Sequence, residues 1–300
     1  MLPHMKHFIW IVATIALTFG GDRLGGYALH KITENSGFRY ARLYNGQAKA
    51  DILLIGNSRG LTFYQPHIEA ITGKKTFNLS YNGMPMNLAA TLADDYLAKY
   101  TAPQLAIIDV TICDRENAAL INGFTSYISM SPRLDSLIGV TDTATQNAAK
   151  LSHLYRYNNE IADRTLYYRG QRSDEDWLLD RVISDNMLAA ADTMSPYSIT
   201  LEKNMVAALK HTVRALHAQG VDVKLVINPY FPAFADKITN MQAYKTGIET
   251  AIGLPVLDYS RAVAGAENFG DYQHLNKAGS QKFLDLLFTD LKADISGLTK

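Results

Sequence analysis

Short apolar runs alternating with longer amphipathic segments point to an α/β fold, a parallel sheet covered on both faces by helices. Three observations carry that reading. Five runs after residue 50 are continuous in apolar residues rather than alternating, the pattern of strands buried on both faces. Intervening segments repeat apolar residues at helical spacing. Strand then helix is also the order that parallel βαβ units require.

The strands are predicted at "DILLIG" (51–56), "KTFNLS" (75–80), "QLAIIDV" (104–110), "VDVKLVIN" (221–228) and "PVLDYS" (255–260). Leu201, Met205, Leu209, Val213 and Leu216 form one helical stripe, with Thr200 as its N-cap and Gly220 as its stop. Leu284, Leu287, Phe288 and Leu291 form another near the end, where Asn276 suits the cap and Gly279 allows close packing. Residues 115–198 hold no strand-like run and are rich in tyrosine and charge, as in "SHLYRYNNE" and "RTLYYRGQRSDEDW". That is too long for a structureless loop, so a helical insertion after the third strand is expected, on the rim of the site. Its tyrosines suit sugar stacking and a helical core equally. Ligands of such sheets bind at the carboxyl ends of the strands.

The N-terminus reads as an export signal. Lys6 precedes an apolar stretch from Phe8 to Gly21, and Asp22 and Arg23 end it. Fourteen residues suit the apolar core of a signal and are short for a full span. No A-x-A cleavage site follows, so residues 1–21 are expected to stay as an anchor. Lys6 would then lie on the cytoplasmic side, with the chain on the periplasmic side of an inner membrane. Residues 22–50 read as a polar connector with some helix, and 51–300 as the folded domain. The competing reading of residues 1–21 is a buried helix.

Composition narrows the function. Hydrophobic residues make up 47% and charged residues 19% of the chain, as in globular proteins. Twenty-nine basic residues balance 29 acidic ones, so no basic excess exists to neutralise phosphates, and nucleic acid is not an expected partner. Cys113 is the single cysteine, which excludes an internal disulfide and a cysteine-based zinc site. His67, His153, His211 and His217 show no metal-ligand spacing, and no metal or cofactor is expected.

The first strand runs into "GNSRG", placing Ser58 at a strand-to-helix junction. Unpaired backbone N–H groups there favour an oxygen nucleophile and the oxyanion it generates. Serine needs a base. "GDYQHLNKAGS" (270–280) offers His274 with Asp271 three residues before it, close enough for the carboxylate to orient the imidazole. Taken singly, Ser58 suits a polar turn and His274 a surface or capping role. Together their roles complete one another.

These residues resemble the SGNH (GDSL-like) hydrolase superfamily. A serine follows the first strand in "IGNSR", a glycine follows the second in "NLSYNGM", and a "DxxHL" motif precedes the last helix. The resemblance spans roughly residues 50–298 outside the 115–198 insertion. It implies a flavodoxin-like three-layer fold with sheet order 2-1-3-4-5, and acyl transfer from an ester to water or another hydroxyl. By the same resemblance Ser58 is the nucleophile, His274 the base and then acid, and Asp271 the orienter, with the N–H groups of Ser58 and Gly83 as oxyanion donors. Asn57 stands where an aspartate is usual. The family's third-block asparagine has no counterpart in "IIDVTICDREN"; Thr111, Asn117 and Asn82 are the candidates to replace it. "GNSR" with an apolar N-terminus also resembles the branch linked to acylation of bacterial envelope polysaccharides.

Arg59, Asn82 and Tyr230 are the candidates for contacting substrate. Arg59 suits a substrate carboxylate or phosphate, or a simple salt bridge, and Gly83 an ordinary turn. Tyr230 and Phe231, from "NPYFP", suit the cavity wall or ring packing. Asp109 and Asp258 read as structural, and Asp114 and Glu116 around Arg115 as solvated charge. The expected activity is a serine-dependent esterase or O-acyltransferase acting on an exported or envelope carbohydrate. Its rivals are a hydrolase of small or lipid esters, and an inactive domain that binds polysaccharide or scaffolds a complex.

Overall fold

The computed structural model describes residues 3–170 and 180–292. In chain order it contains α1 (Pro3–Glu34), α2 (Arg39–Asn45), β1 (Ile52–Ile55), α3 (Gln65–Thr72), β2 (Thr76–Asn78), α4 (Met86–Lys99) and β3 (Leu105–Asp109). Then come α5 (Ala118–Asn122), α6 (Pro132–Thr141), α7 (Thr143–Leu151), α8 (Glu160–Tyr167), α9 (Asp185–Ala190) and α10 (Lys203–Ala218). The chain ends with β4 (Asp222–Ile227), α11 (Pro232–Ala235), α12 (Met241–Ile252), β5 (Val256–Asp258) and α13 (Lys277–Asp290). Two compact units form, one from residues 3–45 with 118–170, the other from 46–117 with 180–292.

The second unit is the α/β body. All five predicted strands are present and form one parallel sheet, ordered β2-β1-β3-β4-β5. Ile52 pairs with Thr76 on one side and Leu105 on the other. Every residue of β1 and β3 is buried, which is why their sequences show no polar alternation. On one face Ile52, Leu54, Leu105 and Ile107 share a core with Phe283 and Leu287 of α13. α13 starts as expected: Asn276 Oδ1 accepts from the Gly279 N–H at 3.1 Å. A Cβ at Gly279 would lie 2.0 Å from the Asn268 carbonyl oxygen, so only glycine lets the helix approach there. The stripe from Met205 to Leu216 lies on α10, but Thr200 is not its cap. Ile199 N donates to Asn240 Oδ1 and Glu202 N to the Cys113 carbonyl, which hold this stretch extended until Lys203.

The first unit is helical. Phe38, Tyr40, Phe124, Tyr127 and Ile161 form its core, and Tyr127 Oη lies 2.7 Å from Thr165 Oγ1. The helix of the connector at 22–50 is continuous with that of the apolar stretch. α1 continues as one 32-residue helix through Asp22 and Arg23. Both charges are partnered: Asp22 accepts from Ser152 Oγ and the N–H groups of His153 and Leu154, and Arg23 donates to Asp22 and to the Leu151 carbonyl. Within α1, Met5–Glu34 is long and apolar enough to cross a membrane, and its apolar window is unburied rather than packed in a core.

The 115–198 insertion does not fold as one body. Residues 118–170 are helical and belong with the N-terminal helices, whereas 180–198 belong to the α/β body. There Ile183 N donates to the Phe269 carbonyl and Tyr197 N to the Lys237 carbonyl. Residues 171–179 of the predicted insertion lie outside the described residues.

Candidate active site

Ser58 lies three residues beyond β1, with φ −58° and ψ −29°, at the start of a single 3-10 turn, Arg59–Thr62. The helix of this strand-to-helix junction, α3, begins only at Gln65. The turn closes locally: Asn57 Oδ1 accepts from the Arg59 N–H at 2.9 Å and Thr62 Oγ1 donates to the Arg59 carbonyl at 2.6 Å. The hydroxyl of Ser58 is therefore presented by a tight turn at the carboxyl edge of the sheet rather than by an α-helix terminus.

Asp271 and His274 occupy the loop between β5 and α13. The loop closes on itself through an antiparallel bridge between Phe269 and Leu275, both buried, and through Gly270 N donating to the His274 carbonyl. Asp271 Oδ1 accepts from the N–H groups of Gln273 and His274, at 2.9 and 3.0 Å. His274 Nδ1 lies 2.8 Å from Asp271 Oδ1 and 3.0 Å from Oδ2. His274 Nε2 lies 2.8 Å from Ser58 Oγ, across 216 residues of sequence.

The charges fix the proton positions. Burial pushes the Asp271 carboxyl up, but the His274 hydrogen bond and charge and the two backbone N–H groups outweigh it, lowering the group to about 2. An ionised carboxylate only accepts, so Nδ1–H is the donor and Nε2 is left to accept from Ser58 Oγ–H. Arg181 Nη2 sits 3.3 Å from Asp271 Oδ2 as a further cation.

Two backbone N–H groups, those of Ser58 and Gly83, have no acceptor among the described residues, and both residues line the cavity. Gly83 has φ +66°, the left-handed region, and a Cβ there would lie 2.9 Å from Asn117 Nδ2. Asn117 donates that nitrogen to the Gly83 carbonyl at 2.9 Å, so it braces this turn. Thr111 does not offer the donor expected of it. Its hydroxyl donates to Asp109 Oδ1 at 2.8 Å, and its N–H goes to the same oxygen at 3.0 Å. Asn82 is exposed and does not line the cavity.

Arg59 also departs from expectation. Its guanidinium is buried, donating from Nη1 to the Gln273 carbonyl at 2.9 Å and from Nη2 to the Asn228 carbonyl. Nε lies 3.7 Å from Asp109 Oδ2, and the guanidinium carbon stands 3.4 Å from the centre of the Tyr230 ring. Buried, and with both Nη groups given to backbone carbonyls, Arg59 serves the frame rather than the substrate. Asp109 is fully buried, and that burial raises its carboxyl above the usual range despite Arg59 and Thr111. Tyr230 lines the cavity as expected, whereas Phe231 packs edge-on against Phe269.

The cavity has a volume of about 500 Å³, within the range of small-molecule sites. Beyond the residues already described, Tyr197, Tyr272, Met187, Asp114 and Arg115 line it. Asp114 and Arg115, read from sequence as solvated, thus belong to its wall as a pair, Nε to Oδ1 at 2.9 Å. Arg181, Met187 and Tyr272 carried no signal: nothing local marks them, and only the fold brings them to the site. No group of three or more His, Cys, Asp or Glu among the described residues is arranged to hold a metal ion.

No family model and no curated protein matches the sequence. Solved structures do. A "putative acylhydrolase" from Bacteroides fragilis is similar at 12% identity and a TM-score of 0.42, over 86% of this chain and 96% of that one. A "putative platelet activating factor from Streptococcus pneumonia" is similar at 14% identity and a TM-score of 0.41, over 95% and 99%.

Proposed function

We propose that this protein is a serine-dependent ester hydrolase or O-acyltransferase, held to a membrane by α1 with its α/β body on the periplasmic side, and that its substrate is an acylated, exported or envelope carbohydrate. One observation carries the chemistry: the unbroken hydrogen-bond series from Ser58 Oγ through His274 to an ionised Asp271. Ser58 Oγ attacks the ester carbonyl carbon while its proton passes to His274 Nε2. The oxyanion takes the N–H groups of Ser58 and Gly83. The carbon–oxygen bond to the leaving alkoxide breaks, and His274 returns its proton to that oxygen. Water or a carbohydrate hydroxyl then attacks acyl-Ser58, giving a proton to Nε2, and collapse restores Ser58 Oγ–H. Tyr197, Tyr230 and Tyr272 in the wall suit a sugar ring. Lys6 ahead of the apolar stretch suits a cytoplasmic N-terminus.

A fluorophosphonate probe should label wild type and fail on Ser58→Ala, and p-nitrophenyl acetate turnover should vanish in the same variant. An added acceptor oligosaccharide separates transfer from hydrolysis. One observation favours a second reading, an inactive domain that binds polysaccharide: the Thr111 hydroxyl is turned to Asp109, and losing a donor costs about 10²–10³ in rate. Folded protein that resists the probe would select it.

A further inference from the structure

We infer that the Leu151–Tyr155 turn of the helical unit is seated in the headgroup layer of the lipid bilayer, beside the point where α1 leaves it. The inference rests on the proposed anchoring by α1. A hydrocarbon layer of about 30 Å takes about 20 helical residues at 1.5 Å each. The apolar stretch from Phe8 to Gly21 holds fourteen, so by itself it falls about 9 Å short. Counted from Lys6, the first charge, twenty residues end at Gly25. Asp22 therefore comes to lie where the hydrocarbon meets the headgroups, a place where an unpaired carboxylate is costly.

The structure supplies what makes that depth tolerable. Asp22 is saturated by Ser152 Oγ at 2.5 Å, His153 N at 2.9 Å, Leu154 N at 3.0 Å and Arg23 Nη1 at 2.8 Å. Three of those four donors sit on one turn of the helical unit, so the turn is carried to the same depth as Asp22. The glycines of α1 bring it in close: a Cβ at Gly25 would lie 2.9 Å from Leu154 Cδ2, and one at Gly26 only 2.3 Å from His153 Cβ. That turn is also apolar on its outer side. Leu151 is 76% exposed, Leu154 43% and Tyr155 41%, and α1 itself exposes Leu24 at this level. Leucines and a tyrosine beside Arg23 match a boundary that is apolar on one side and anionic on the other.

The test uses the full chain in phospholipid nanodiscs, with a nitroxide on single cysteines in a Cys113→Ala background. Labels go at Leu17→Cys, Leu151→Cys and Tyr155→Cys, with Lys75→Cys, whose side chain is comparably exposed at 76%, as the aqueous reference. Collision with a water-soluble nickel chelate should be severalfold lower at 151 and 155 than at 75, and collision with oxygen higher. If 151 and 155 match 75 while 17 is shielded, the inference is overturned and the anchor stands. If 17 is as open to the chelate as 75, the anchor fails and the inference with it.

Discussion

Arg59, the residue after the candidate nucleophile, donates to the carbonyl of Gln273, the residue before the candidate base. The same guanidinium reaches the Asn228 carbonyl past the end of β4 and faces Asp109 at the end of β3. One buried cation thus ties together the strand ends and the loop from which Ser58 and His274 meet. Asn228 returns the contact, donating Nδ2 to the Arg59 carbonyl at 3.1 Å.

Removing that tie should cost both stability and alignment. Arg59→Met leaves two carbonyls without donors and should destabilise the fold by about 3–5 kcal/mol, the range for breaking a buried charge pair. Arg59→Lys keeps the charge but not the fork, so it should unfold less readily yet still label slowly with fluorophosphonate. Chemical denaturation and labelling rates, measured together, check both; wild-type labelling in Arg59→Lys would show that the clamp does not set the alignment.

Asp271→Asn should preserve the fold and lose turnover. The amide can present an N–H to Nδ1 and so favour the wrong imidazole tautomer, an effect of about 10⁴ in kcat in a serine protease. Steady-state kinetics on p-nitrophenyl acetate should show a kcat loss of that order, with KM nearly unchanged.

Acid stability follows from the same carboxylate. Its folded value, about 2, lies below the ordinary value of 3.8, so its stabilising contribution is present above about pH 4 and is lost as pH falls toward 2. Urea midpoints of wild type and Asp271→Asn should therefore differ at pH 6 and converge near pH 2. A gap that persists unchanged at pH 2 would contradict this.

Gly83→Ala tests the second oxyanion donor. A φ of +66° strains any other residue by about 1 kcal/mol or more, and the added Cβ would press on Asn117 Nδ2. The N–H should shift, lowering kcat about 10-fold or more, within the range for an impaired donor. Thermal melts read the strain and kinetics the donor.

The strands were legible because burial on both faces demands unbroken apolar runs, and the Asp271–His274 pair because its geometry is local. Ser58 became legible only beside that pair. What sequence could not reveal depends on distant partners. Arg59 reads as a substrate contact or a simple salt bridge until residues 169 and 214 positions away close around it. Asp22 reads only as the end of an apolar stretch, since the groups that fill its acceptor sites lie about 130 residues downstream. Thr111 has the hydroxyl a donor needs, but its proton goes to a carboxylate two residues earlier, a choice only the backbone geometry decides.

The loop bridged at Phe269 and Leu275 holds both Asp271 and His274 and supplies the N–H groups that keep the carboxylate ionised. The carboxylate, the imidazole and the N–H groups that orient them lie in one short segment. Arg59 at the Gln273 carbonyl and Arg181 at Asp271 tie that segment to the rest of the body, and Ser58 meets it at His274 Nε2. The cavity wall at Tyr197, Met187 and Arg115 comes from other parts of the chain, so substitutions there can reshape the cavity without touching the Asp271–His274 pair.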